Sequence, residues 1–216
     1  MLRHVLLLLM DLLESMISAS RTAGAEILRI RAAGFTVREK SDESPVTAAD
    51  TAAEALILEL LAKVAPGVPI VAEEMTAAGV VPALAHRFFL VDALDGTREF
   101  VAGRDEFTVN IALIEAGLPV LGVVDAPALG RLFAGDVRQG RALEIRSNDP
   151  IPSVASRRHA IRVRQAPPSG QVAVASRSHG SPDTEEWLRR EGVVERVSIG
   201  SSLKFCLLAC GEADIY

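Results

Sequence analysis

Long hydrophobic runs and an excess of basic residues are both missing from this sequence. The most apolar run, VLLLLM at residues 5–10, is interrupted by Asp11 and is too short to span a membrane. No small-residue cleavage site follows it cleanly, which argues against a signal peptide. The formal net charge of -5 provides no basic footprint for nucleic acid. We therefore expect no integral membrane segment and no nucleic-acid partner.

Cysteine is scarce as well. Cys206 and Cys210 are the two in the chain, four positions apart in an apolar helical pattern. Neighbours on one helix face favour small core residues over a disulfide, and the sequence therefore predicts a reduced, cytoplasmic protein. Internal repeats and low-complexity tracts are also absent. The remaining composition, 49% hydrophobic in 216 residues, suits one large domain or two small ones.

The first part of the chain carries two helical patterns followed by short strands. Residues 5–30 predict an amphipathic helix, and a second helix is predicted from about Ala48 to Ala65, ended by Pro-Gly. The segments VPIVAEE and RFFLVD predict strands. EFTVNIALIEAGLPVLGVVDAP predicts two more, joined by a turn at Ala116-Gly117, and RLFAG a further one. Sequential hairpins of this kind indicate an antiparallel sheet in an α+β domain.

The pattern then changes to alternating strands and helices. QVAVAS, VVERVSI and ADIY predict strands, while PDTEEWLRREG and SSLKFCLLACG predict helices between them. Such alternation indicates right-handed crossovers and a mainly parallel sheet. Gly, Ser, Asn and Pro cluster in the segment QGRALEIRSNDPIPS. We predict an α+β domain at residues 1–140 and a smaller α/β domain at residues 141–216.

The segment DALDGTREF places two aspartates three positions apart after an apolar strand. Asp92 ends the predicted strand, and Gly96 tolerates the positive φ of a sharp turn that brings Asp95 back beside it. Thr97 then takes the helix N-cap position. The carboxylates, the Leu94 carbonyl and the hydroxyl suit a hard cation such as Mg²⁺. An Asp-Gly turn capped by threonine is also common on protein surfaces, and on this segment alone both interpretations stay open.

Two further acidic segments lie at element ends. Glu73 and Glu74 follow the strand PIVA, where a solvated loop is the plain alternative. In SPVTAAD, Thr47 and Asp50 form a T-x-x-D capping box, which does not exclude a second role for Asp50. Three acidic segments, each at the end of a helix or strand, are most simply explained if their carboxylates bind the same cations.

These segments, with GSSLKFCLLACGEADIY, occur in an order that resembles the inositol monophosphatase-like, Mg²⁺-dependent phosphatases. The resemblance runs from RTAGAEIL to Tyr216, and it implies a layered αβαβα sandwich. SPVTAAD, the ending REF, ASRSH and GSSLKF are similar to the 3′(2′),5′-bisphosphate nucleotidase branch. Ala93 stands where the family usually has proline, which loosens the turn slightly and removes no ligand.

The resemblance implies a metal-dependent mechanism. Glu73, Asp92 and the Leu94 carbonyl would hold one Mg²⁺, and Asp92 with Asp95 a second, in a site of two or three ions. No covalent phosphoenzyme is required, and the chain has no G-x-S-x-G nucleophile motif. The catalytic groups are Thr97, which receives a proton from the metal-bound water, Asp50, which is hydrogen-bonded to Thr97, and Glu74, which orders the metal waters.

A second implied site holds the phosphate and sugar that are not cleaved. Taken alone, His179 is better interpreted as a histidine of a surface loop, and Ser202 is equally a simple N-terminal helix residue. The aromatic content of 4% leaves few candidates for base stacking, and the sequence singles out none of them. The resemblance places substrate-binding groups at Gly96, Thr97, His179, Ser201 and Lys204.

The leading hypothesis is hydrolysis of the 3′-phosphate of adenosine 3′,5′-bisphosphate to AMP and phosphate, a nucleotide-recycling step of sulfur assimilation. Its partner is then a small phosphorylated nucleotide. An inositol or histidinol monophosphatase is one alternative, and a non-catalytic anion-binding domain is another. The oligomeric state stays open between monomer and homodimer.

The end of the chain gives one further expectation. The resemblance implies that family members continue for roughly another forty residues, including a Trp-Asp motif whose aspartate completes the second metal site. Asp214 lies inside a predicted strand and does not replace it. The sequence therefore predicts that these 216 residues bind the second Mg²⁺ weakly, are poorly stable and nearly inactive, and belong to a longer gene product.

Overall fold

The computed structural model describes residues 2–39, 45–146, 157–175 and 182–216. Six helices and eleven strands occur in these ranges, together with a short 3₁₀ turn at Pro127–Leu129. The helices are α1 (Leu2–Ala33), α2 (Ala48–Val64), α3 (Glu73–Ala77), α4 (Thr97–Val101), α5 (Pro182–Arg190) and α6 (Leu203–Ala209). The strands are β1 (Val37–Glu39), β2 (Pro45–Thr47), β3 (Ile70–Ala72), β4 (Arg87–Asp95), β5 (Thr108–Glu115), β6 (Leu118–Ala126), β7 (Arg131–Asp136), β8 (Arg141–Arg146), β9 (Arg157–Ala160), β10 (Gln171–Ala175) and β11 (Val193–Ser198).

Helices α1 and α2 pack against each other and against the large sheet. Met16, Ala23 and Ile27 of α1 are fully buried at helical spacing, as are Ile57 and Leu61 of α2. Burial of each large aliphatic side chain contributes about 1.5–3 kcal/mol. The two predicted helices are confirmed, and α1 runs without a break through Ser18–Ser20.

The large sheet has seven strands in the order β3-β4-β5-β6-β7-β8-β9. β3 pairs parallel to β4, and every other pair in this sheet is antiparallel, as the hairpin pattern predicted. The β5–β6 turn places Ala116 and Gly117 at φ 51° and 78°, the doubly left-handed conformation of a two-residue hairpin turn. Strands β8 and β9 continue this sheet beyond residue 140, the boundary drawn from the sequence, and the division into domains stays a prediction.

The second part of the chain pairs β10 with β11 in parallel, with α5 between them along the chain. The predicted strands and helices of this part are confirmed up to α6. The predicted strand ADIY is wrong, because it forms only a single parallel bridge, from Ile215 to Ala173. Helix α6 contacts both sheets, because Leu203 and Cys206 cluster with Phe133 of β7 while Leu207 clusters with Val174. The order α1/α2, large sheet, α6, small sheet, α5 is that of the predicted αβαβα sandwich.

Both cysteines are free thiols, and Cys206 is buried in the core as predicted. Within the described ranges, no helix combines the length and apolarity needed to cross a membrane.

Candidate active site

The chain reverses at Gly96, between β4 and α4. Gly96 has φ 88°, and a Cβ there would lie 3.2 Å from the Ser201 Cβ, so the position demands glycine on two counts. Asp92 was predicted to end the strand. Instead β4 continues to Asp95, because pairing with β5 resumes there after an irregularity in register. Thr97 was predicted at the N-cap, but Gly96 holds that position and Thr97 is the first helical residue.

Thr97 and Asp50 meet as predicted. The Thr97 hydroxyl lies 3.1 Å from Asp50 Oδ1 and 3.0 Å from the Leu94 carbonyl oxygen. Asp50 also accepts hydrogen bonds from the backbone and hydroxyl of Thr47, which completes the predicted capping box. Asp50 therefore caps helix α2 and also accepts the hydrogen bond from Thr97. Burial raises its pKa, against the opposing hydrogen bonds from Thr47 and Thr97.

Glu73 and Glu74 begin the short helix α3 rather than a loop at the strand tip. The cause is Glu54 of α2, whose carboxylate accepts the backbone N–H groups of Glu74 at 2.7 Å and Met75 at 2.9 Å. These are orphan donors of a first helical turn, and a carboxylate satisfies them. Glu54 was missed by the sequence analysis. Its signal was its position one helical turn after Asp50 on a largely apolar helix.

Asp92 lies among like charges. Its pKa is raised to about 8, first by burial, then by the charges of Asp95 and Glu73 and by a hydrogen bond shared with Glu73. The Leu94 N–H, 3.3 Å from Asp92 Oδ1, acts in the opposite direction. Three carboxyl groups thus approach one another, and they repel when all are ionised.

Asp95 faces a group of neutral donors. Its Oδ2 accepts the backbone N–H of Ser202 and lies 3.4 Å from both Thr108 Oγ1 and Asn110 Nδ2. Thr108 and Asn110 were not identified from the sequence, and Ser202 was noted only as a helix residue. The available signal was polarity, since both are polar residues near the start of the strand TVNIALIE, which is apolar from Ile111 to Ile114. Their register opposite Asp95 and Asp92 is a property of the folded sheet.

The donor set fits a divalent cation in its chemistry. Within the described segments, no three or more His, Cys, Asp or Glu side chains are already arranged as a set of metal ligands. Glu73 and Asp92 instead share a hydrogen bond, with Asp95 close enough to raise the Asp92 pKa. Carboxylate oxygens are the ligands that Mg²⁺ prefers, and a cation would relieve their mutual repulsion.

A cavity of about 670 Å³ brings most of the predicted substrate-binding residues together. Its lining residues include Glu73, Asp95 and Thr97, and also Ser201 and Lys204. The predicted Gly96 also lines this cavity.

Lys204 is largely buried, and its ammonium donates to the Ser201 carbonyl at 2.8 Å. Asp92 lines a different, apolar cavity of about 470 Å³ on the sheet face, into which Glu73 also opens. His179 lies outside the described residues.

The layered fold and the acidic site define a class, that of phosphomonoesterases built on an αβαβα sandwich. Residues 9–216 match the Inositol monophosphatase family, and the chain belongs to this family. Its members are generally Mg²⁺-dependent.

The named relatives include bisphosphate nucleotidases and a histidinol-phosphatase. The chain is 42% identical over 207 residues to 3′(2′),5′-bisphosphate nucleotidase CysQ of Salmonella typhimurium, covering 95% of this chain and 79% of that protein. It is 31% identical over 210 residues to a histidinol-phosphatase of Mycobacterium tuberculosis, covering 95% and 76%. The crystal structure of CysQ from Bacteroides thetaiotaomicron superposes with a TM-score of 0.74 at 31% identity, covering 94% and 78%.

Proposed function

We propose that this chain is a Mg²⁺-dependent phosphatase that removes the 3′-phosphate of adenosine 3′,5′-bisphosphate, giving AMP and phosphate. The observation that supports it most is the shared cavity, which is lined by Glu73, Asp95 and Thr97 as well as by Ser201 and Lys204. The acidic residues and Thr97 suit cleavage of a phosphate ester, and Ser201 with Lys204 suits a second anionic group. The similarity to proteins named bisphosphate nucleotidases supports the same substrate.

The cation-binding side uses the grouped carboxylates. Glu73, Asp92 and the Leu94 carbonyl would hold one Mg²⁺ and Asp92 with Asp95 a second, in a site of two or three ions. When bound, Mg²⁺ supplies charge neutralisation for the phosphoryl oxygens and acidifies a bound water.

Proton transfer falls to the Thr97–Asp50 pair. The attacking water forms a bond to phosphorus while the bond from phosphorus to the 3′-oxygen breaks, and that oxygen takes a proton from solvent to become the 3′-hydroxyl of AMP. The water's proton passes to Thr97 Oγ1, whose own proton moves along the 3.1 Å hydrogen bond to Asp50. Burial raises the Asp50 pKa, which favours its acting as the acceptor. Glu74, at the start of α3, orders the waters of the metal site.

Recognition of the phosphate that is retained falls to the start of α6. Lys204 supplies a positive charge within the cavity and Ser201 a hydroxyl. Gly96 and Thr97 contact the phosphate that is removed, and His179, outside the described residues, contacts the nucleotide.

Phosphate release from a substrate panel tests the proposal. The panel contains adenosine 3′,5′-bisphosphate, its 5′-phosphosulfate analogue, inositol 1-phosphate and histidinol phosphate, each assayed with Mg²⁺. We expect the highest kcat/KM for the bisphosphate nucleotides. A preference for histidinol phosphate, the second candidate given the histidinol-phosphatase relative, would overturn the substrate assignment. Nucleotide binding by calorimetry without release at any Mg²⁺ concentration would overturn catalysis itself.

We also propose a cytoplasmic location, which fits the two free thiols. Thiol labelling of the protein in freshly lysed cells is expected to find both reduced. Recovery of a Cys206–Cys210 disulfide would contradict this. The small-molecule nucleotide is the proposed partner, and sedimentation would decide between monomer and homodimer.

A further inference from the structure

Ser202 connects two parts of the active site that the mechanism treats separately. Its backbone N–H donates to Asp95 Oδ2, and its hydroxyl lies 2.8 Å from Asn110 Oδ1 and 2.8 Å from Thr108 Oγ1. Ser202 also lines the cavity, together with Ser201 and Lys204. The same residue therefore contacts a proposed cation ligand and adjoins the proposed phosphate-binding groups.

The Ser202 hydroxyl determines which end of the Asn110 amide faces Asp95. Asn110 Oδ1 accepts from Ser202, which leaves Nδ2 to donate to Asp95 Oδ2 at 3.4 Å. Without that hydroxyl the Asn110 Oδ1 atom loses its donor at 2.8 Å, and the longer 3.4 Å contact from Nδ2 to Asp95 is left to hold the amide in this orientation. The flipped amide would place an oxygen against the carboxylate, which is unfavourable. An Asp95 carboxylate that loses this donor is less well fixed in position.

The backbone around Ser202 is held firmly. Ser201 has φ 57°, a left-handed conformation that costs energy for a residue with a side chain and persists where the surroundings impose it. A Cβ on Gly200 would lie 2.5 Å from Glu99 Cδ, so the loop packs directly on buried Glu99 of α4. A Cβ added at Gly96 would lie 3.2 Å from the Ser201 Cβ, so the loop also lies close to the Gly96 turn.

We propose that Ser202 is a positioning residue, which holds Asp95 through Asn110 in the orientation that Mg²⁺ binding requires. This inference rests on the proposed function and deepens it. Because its hydroxyl is engaged with Asn110 and Thr108, Ser202 acts on the cation site through these neighbours of Asp95, as partners of ligating carboxylates do.

The test measures Mg²⁺ binding directly. Isothermal calorimetry with Mg²⁺ compares the wild-type with Ser202→Ala, Ser202→Thr and a control, Thr22→Ala, whose exposed hydroxyl bonds only within α1. We expect Ser202→Ala to raise the Mg²⁺ Kd roughly 10-fold, the scale for loss of a partner of a metal ligand. Ser202→Thr, which keeps the hydroxyl, should recover most of the affinity, and Thr22→Ala should match the wild-type.

A double-mutant cycle with Asn110→Ala separates positioning from general support of the fold. If Ser202 acts through Asn110, Ser202→Ala should add little to the Kd of Asn110→Ala. An unchanged Kd in both single variants would overturn the inference, as would a lower melting temperature with no change in Kd. If Ser202→Ala does not fold, the test rests on Asn110→Ala and Ser202→Thr. We then expect a raised Mg²⁺ Kd in Asn110→Ala and an almost unchanged Kd in Ser202→Thr. Absence of Mg²⁺ binding by the wild-type would overturn the proposed function and this inference together.

Discussion

At the scale of single residues, the most specific prediction concerns the substitution of Asp92. It is shared by both proposed cation positions and is surrounded by Asp95 and Glu73. Asp92→Asn should abolish phosphate release. It should also leave the Mg²⁺-free melting temperature unchanged or raised, because the amide removes like-charge repulsion. Asp105→Asn, at a half-exposed aspartate paired with Arg31, is the control and should retain activity. Unchanged turnover in Asp92→Asn would contradict the two-cation site.

The same carboxyl predicts the pH dependence of the Mg²⁺-free protein. The Asp92 pKa is raised in the folded state to about 8, so folding favours the protonated form. Its stabilising contribution is complete below the unfolded pKa, about 3.9, and is lost as pH rises through about 8. Urea unfolding in chelator should therefore give a lower free energy of unfolding at about pH 8.5 than at about pH 5. Asp92→Asn should flatten this difference, and an equally steep dependence in the variant would place the titrating group elsewhere.

Substitution of Lys204 tests the selectivity for bisphosphates over monophosphates. Lys204→Ala should raise KM for adenosine 3′,5′-bisphosphate by about 10-fold, the scale of one lost charge-assisted hydrogen bond. KM for a monophosphate should change much less. Lys63→Ala is a matched control, because Lys63 is exposed and paired with Glu59 on α2. Equal loss for both substrate types would show that Lys204 does not contact the second phosphate.

At the scale of elements, α1 is tied to the large sheet by a buried ion pair. Arg21 of α1 contacts Asp125 of β6 at 3.0 Å, with side chains 5% and 0% exposed. Arg21→Ala would leave the Asp125 carboxylate buried without its cation, at a cost of about 3–5 kcal/mol. The double change Arg21→Met with Asp125→Asn should recover much of that loss. Chemical denaturation measures both, and a mild effect of Arg21→Ala alone would show that water reaches the site.

The elements also show what sequence patterns can predict. The long helices and the β5–β6 hairpin were predicted because their periodicity and turn residues are local. Helix α3 was not predicted, because five residues carry too little periodicity and its start depends on Glu54 of another helix. Asn110 and Thr108 were missed for a related reason, since their placement opposite Asp92 and Asp95 depends on strand register. The acidic residues themselves were predictable because each lies near an element end.

At the scale of the whole molecule, an ionic network joins the two parts of the fold. Arg131 of β7 contacts Glu144 of β8 and Glu212, which follows α6, each at 2.6 Å. Glu144 is buried, so its charge requires a partner. Together with the packing of Cys206 on Phe133, this network holds the α6 segment against the large sheet. The position of Ser202 relative to Asp95 depends on that packing.

The contacts of Ser202 join residues that are far apart in the sequence, and this affects the folding kinetics. Ser202 is 107 residues from Asp95 and 92 residues from Asn110, whereas β5 and β6 are joined by a two-residue turn. Contacts between distant residues form slowly, since loop closure must be completed before they contribute. In refolding from urea, sheet circular dichroism should therefore recover before Mg²⁺-dependent phosphate release. Recovery of both signals in a single phase would mean that the distant contacts already form in the rate-limiting step.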